Sequence, residues 1–119
     1  MIGIGGILGA NARYWVADWA AQRFGAEFPY GTFIINISGS FLLGLFMAFL
    51  QDRVFIHPNY RLLFATGFCG AYTTFSTLTY ESLRLFQDGS ILLAFTNMIG
   101  SLIMGMAAVF VGFSLGRMI

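Results

Sequence analysis

Apolar residues in this chain gather into four long runs separated by three short polar connectors, and each run is apolar along most of its length rather than on one stripe. A helix needs roughly 20 mostly apolar residues to cross the hydrocarbon of a bilayer, so the pattern predicts spans. These run over about residues 2–21, 30–50, 61–83 and 90–116. The connectors are Gln22 to Pro29, Gln51 to Tyr60 and Arg84 to Gly89. Pro29 and Pro58, the only prolines, lie in two of them, where a helix must stop or start. The predicted fold class is an all-α integral membrane protein, a single four-helix transmembrane domain over residues 1–119. The first run lacks a basic leading segment and a clear small-residue cleavage site, so it is read as a span and not as a signal peptide.

The third run is interrupted. Gly67-Phe68-Cys69-Gly70-Ala71-Tyr72-Thr73-Thr74-Phe75-Ser76-Thr77-Leu78 places glycines and clustered hydroxyls in mid-span. Close helix packing accounts for a single small or hydroxyl residue. Two glycines three residues apart, followed by five serines and threonines within ten residues, call for more. Irregular backbone at membrane depth survives only where protein or a water-filled cavity satisfies its amides and carbonyls, so the pattern predicts a helix break at an ion or substrate site. The second and fourth runs carry polar stripes: Asn36, Ser40 and Gly44, and Asn97, Ser101 and Gly105, each recur every four residues. A helix interface explains either stripe alone, but two amide side chains facing lipid are costly, and a pathway through the protein explains both.

Composition supports the membrane class and narrows the chemistry. Hydrophobic residues make up 58% and charged residues 9%, with a mean hydropathy of +0.79, against about a quarter charged in soluble domains. Cys69 is the only cysteine, so no intrachain disulfide forms, and packing is its default role. The one histidine, His57, sits in a connector without partners for a triad or metal site. No phosphate-binding loop or basic nucleic-acid patch occurs, so neither an enzyme nor a nucleic-acid partner is expected. Lysine is absent. With an even number of spans, one face holds Arg53, Arg61 and Arg117, and the other holds Arg23 and Arg84, with Arg13 nearer that side. Arginine bias sets topology, and a bias this small predicts insertion in both orientations and an antiparallel dimer, a fixed topology set by weak cues being the alternative.

The broken segment, followed by Glu81, resembles the signature of the Fluc (CrcB) fluoride channels, which carry a glycine, a Thr-Thr-Phe-Ser-Thr run and then an acidic residue in a broken third helix. The likeness extends to Gly5 through Tyr14 in the first run, and to Gly31-Thr32, Asn36, Gly39, Ser40 and Gly44 in the second. The resemblance implies passive fluoride export across a prokaryotic inner (plasma) membrane, conferring fluoride resistance, by an antiparallel dual-topology homodimer. It also implies a structural sodium ion on the dimer axis, held by the carbonyls of Gly70 and Thr73 from both copies. A hard cation suits carbonyl oxygens and would offset the desolvation of anions at mid-membrane.

On the same resemblance, fluoride meets the positive ring edges of a phenylalanine pair. Phe75 matches the first position, but Leu78 fills the second, which removes one polarised edge. The remaining pathway then reads as Asn36, offering amide hydrogens, and Thr32, Ser76, Thr77 and Ser101, offering hydroxyl hydrogens. Asn97 stands where the family often has a tyrosine, and Gly105 where some members have a second serine. Arg13 matches the family's vestibule arginine; snorkelling to the interface or pairing with Asp18 is the structural alternative. Glu81 is either an acceptor for neighbouring hydroxyls or an ordinary interfacial carboxylate. Two other functions compete. A small multidrug-type proton-coupled exporter would need a mid-membrane carboxylate, whereas the first span offers only Asp18 near its end. A structural membrane subunit would use the small-residue stripes and conduct nothing.

Overall fold

Two glycines in the left-handed region set where rods end. The computed structural model describes residues 1–119 and contains helices only. Helix α1 covers Ile2–Phe24 and closes at Gly25, with φ 83°, whose N–H bonds the Ala21 carbonyl. Helix α2 covers Tyr30–Gln51, directly after Pro29. Both glycine stops leave helix beyond the predicted limits, because a residue with a Cβ rarely adopts that conformation and these two rods end where glycine permits it. Gly89, with φ 82°, accordingly lets the rod before it run on past Arg84.

The third rod is compound. His57 Nδ1 accepts from the Asn59 N–H at 3.1 Å and caps α3, Pro58–Arg61. A π-helical stretch, Leu62–Cys69, leads into α4, Gly70–Tyr72. Thr73 and Thr74 are then extended, with φ −81°, ψ 158° and φ −151°, ψ 122°. Helix α5, Phe75–Gln87, follows the break, and α6, Ile91–Met118, completes the chain. The break therefore falls on threonines. Gly67, by contrast, stays helical and lets the rod approach α1, where a Cβ would meet the Ile2 carbonyl at 2.8 Å and Gly5 Cα at 3.0 Å.

Backbone-to-backbone contact through glycine organises the bundle. A Cβ on Gly44 would strike the Val109 carbonyl, and one on Gly112 the Phe41 carbonyl, so α2 and α6 are in direct main-chain contact. Gly5 and Gly9 likewise admit the carbonyls of Leu63 and Phe68 onto α1. The molecule measures 53 × 27 × 22 Å. Only 19 of its 119 residues are buried, while Trp15, Leu92, Ile103 and Phe110 stand more than half exposed, so the apolar surface points outward. Helices α2 and α6 are each long and apolar enough to cross a membrane. Helix α1 is long enough but less apolar, since it carries Arg13 and Asp18. The break divides the remaining rod.

Candidate ion site at the helix break

An extended Thr73-Thr74 pair strands main-chain groups that a continuous helix would satisfy, and their new partners define the site. The Thr74 N–H donates to Asn36 Oδ1 at 2.8 Å, while Asn36 Nδ2 donates to the Thr74 carbonyl at 3.0 Å. One amide of α2 thus pairs both main-chain groups of the residue at the break. The second helical half begins with a side-chain cap: Thr74 Oγ1 accepts from the Thr77 N–H at 3.2 Å. Thr73 Oγ1 donates to the Cys69 carbonyl at 2.9 Å, closing the end of the first half.

The break leaves the carbonyls of Gly70, Ala71, Tyr72 and Thr73 without their helical donors, and these exchanges account for the first and the last. In an unbroken helix Gly70 would accept from the Thr74 N–H and Thr73 from the Thr77 N–H. Both donors are committed elsewhere, to Asn36 and to Thr74 Oγ1. Gly70 is exposed and Thr73 half-buried in the single chain. Carbonyl oxygens without a hydrogen-bond partner are the donor type that a hard monovalent cation such as sodium takes.

A groove of about 510 Å³ opens beside the break, between α2, α5 and α6. It brings together Asn36, Thr73, Phe75, Leu78 and Ser101 of the predicted site. The Phe75 ring is 78% exposed at the first turn of α5 and joins no aromatic pair within the chain. Ser101 is 6% exposed, and its buried Oγ has no partner. Asn36 commits its oxygen and one amide hydrogen to Thr74, leaving one amide hydrogen. The two polar stripes meet here: Ser40 and Gly105 both line the groove, and a Cβ on Gly105 would lie 3.7 Å from Ser40 Oγ.

The other predicted residues lie around it. Ser76 and Thr77 hydroxyls reach Thr74 Oγ1 at 3.3 and 3.1 Å, forming a hydroxyl cluster at the α5 N-terminus. Thr32 is buried one turn before Asn36 and lines a separate recess of about 400 Å³ with Glu81 and Arg84. Glu81 Oε1 is buried without a partner. Asn97, fully buried, donates to Ser82 Oγ at 3.0 Å, while its Oδ1 is unpartnered. Arg13 is half-buried on α1, away from the groove and the recess. Asp18 does not pair with it and instead accepts from Gln22 at 2.9 Å. The sequence pattern did not reveal the Asn36 brace. Its available signal was an amide at membrane depth opposite a span with a suspected break, because such a break needs donors and acceptors from a neighbouring helix.

Residues 1–113 match the family described as CrcB-like protein, Camphor Resistance (CrcB). A protein named fluoride-specific ion channel FluC from Koribacter versatilis is 50% identical, over 91% of this chain and 86% of its own. One of the same name from Acidobacterium capsulatum is 47% identical, over 99% of this chain and 94% of its own. Another from Chloroflexus aurantiacus is 46% identical, over 98% of this chain and 92% of its own. With the helix break, its threonine pair and the flanking motifs all inside the matched region, the chain belongs to the CrcB family.

Proposed function

We propose that this chain is one protomer of a fluoride-selective channel that lowers cytoplasmic fluoride by passive export across the inner membrane of a prokaryote. The channel names of its relatives support an ion conductor and not an enzyme. The observation that carries the reading is the groove at the break. There Asn36, with one uncommitted amide hydrogen, Ser101, with an unpartnered buried hydroxyl, and the exposed Phe75 line one cavity. Each presents positive charge density to a small anion, and none introduces a fixed cation that would trap it. Fluoride holds its hydration water tightly, so a path must replace that water with short, directed donors.

The proposed conducting unit is an antiparallel dimer, each protomer crossing the membrane four times. The exposed Phe75 ring and the exposed Gly70 support a second copy over this face, since a single chain leaves them uncovered. In that dimer the Gly70 and Thr73 carbonyls of both copies would hold a structural sodium ion, whose charge would favour anions nearby. Chain geometry supplies only the freed oxygens, through the Asn36 brace and the Thr74 cap. An exporter driven by protons is disfavoured because Asp18, the carboxylate of α1, is exposed and bonded to Gln22.

Phe75→Ile tests the reading, since it keeps most of the volume and removes the ring edge. Fluoride efflux per assembled protein should fall strongly, while Leu78→Phe should conduct at least as well as the unsubstituted chain. Unchanged efflux in Phe75→Ile would place the ion path elsewhere.

A further inference from the structure

The end of the bundle that carries the connector between α2 and α3 holds two adjoining cavities of opposite character. The first, about 430 Å³, is lined by hydrophobic residues alone, among them Phe46, Phe49, Tyr60 and Phe64. That volume falls within the usual range of ligand cavities. The second, about 260 Å³, is lined by Arg53, His57 and Arg61. Leu50 and Ile56 line both, so the apolar groove and the basic recess adjoin.

Arg53 is half-buried and held in place. Its guanidinium lies 4.0 Å above the centre of the Phe49 ring and donates to the main-chain oxygens of Phe49 and Ile119. Two of its five N–H groups are thereby used, and the others are uncommitted. Arg61 is exposed, and Asp52, the only carboxylate of the connector, does not line the recess. Between the arginines the connector exposes Val54 at 96% and Phe55 at 82%. Such an apolar pair beside cations suits the boundary between headgroups and acyl chains.

We infer that this end of the molecule binds an anionic phospholipid, with an acyl chain in the Phe46–Phe64 groove and the phosphate on Arg53 and Arg61. Charge complementarity selects the headgroup, because a zwitterionic lipid brings no net charge to two arginines. Adjacency of the apolar groove to the basic recess selects a lipid over a free anion, because a lipid offers a chain to the one and a phosphate to the other.

Native mass spectrometry of the full chain in detergent, titrated with phosphatidylglycerol or phosphatidylcholine of the same chain length, tests the site. Phosphatidylglycerol should be preferred, and Arg61→Gln should cut the preference about fivefold, the order expected for one cation near an anionic surface. Arg61→Lys should restore most of it. Arg53→Gln should act likewise, but it also removes the bonds to Phe49 and Ile119, so the exposed Arg61 carries the decisive comparison. Glycerol phosphate, the headgroup without chains, should fail to compete. Equal binding of the two lipids, an undiminished preference in Arg61→Gln, or full competition by glycerol phosphate would each overturn the assignment. So would efficient disulfide linkage between copies through Ile56→Cys in a Cys69→Ala background, because a second copy would then cover the groove.

Discussion

Replacing Asn36 by leucine should destabilise the break more than a typical interhelical hydrogen bond would suggest. The substitution removes two bonds, at 2.8 and 3.0 Å, to the N–H and carbonyl of one residue. Interhelical hydrogen bonds in membranes average about 0.6 kcal/mol each, which sets a floor near 1.2 kcal/mol. Stranded partners raise this. A main-chain group left unpaired costs about 1–3 kcal/mol when fully buried, and Thr74, part-buried, bears a share of that because its extended geometry prevents a return to helical bonding without straightening the rod. About 2–4 kcal/mol is the expected loss, read by reversible unfolding in mixed detergent micelles. Hydrogen exchange at the Thr74 amide supplies the local readout, and about 2 kcal/mol corresponds to roughly a 30-fold rise in its rate. Asn36→Asp separates the two bonds, since a carboxylate still accepts from the Thr74 N–H but sets oxygen against the Thr74 carbonyl. Thr74 should stay protected in that variant while anion flux falls. Stability within about 0.5 kcal/mol of the unsubstituted protein, with unchanged exchange at Thr74 in Asn36→Leu, would refute the brace.

The α2–α6 contact should be intolerant of volume: Gly112→Val should lose about 1–3 kcal/mol against the Phe41 carbonyl. Gly100→Ala, whose nearest neighbour is Phe33 Cε2 at 3.9 Å, should be neutral in the same unfolding assay. Exchanging sodium for a much larger cation on both sides should lower the thermal midpoint and the fluoride flux, since a ligand bound only by the assembled state stabilises it. Identical values after exhaustive sodium removal would remove the ion from Gly70 and Thr73. A single cysteine at Asp88→Cys, in a Cys69→Ala background, should label from both sides of the membrane; one-sided labelling would end the dual-topology proposal.

The sequence pattern located α1, α2 and α6, because runs of apolar residues and two prolines are direct signals of length and termini. Ends were less visible. Helix α1 reaches Phe24 and α5 reaches Gln87, since Gly25 and Gly89 provide the stops and the polar residues before them remain helical. The break was legible as a region, from glycines and hydroxyls together, but not as a residue. Gly67 proved to serve close approach to α1, and the extended backbone fell on Thr73 and Thr74. Contacts across the fold stayed hidden. Asn36 reads equally well as an anion donor or as a main-chain brace until its neighbour 38 residues away is in place. The groove likewise depends on α2, α5 and α6 meeting, which periodicity alone does not specify.

Flux of fluoride itself is the most direct test of the central claim. Purified protein reconstituted in liposomes and placed under an outward fluoride gradient should release fluoride to an electrode, while an equal chloride gradient should discharge far more slowly. Intact, correctly assembled protein that releases no fluoride, or releases chloride as readily, would contradict the account.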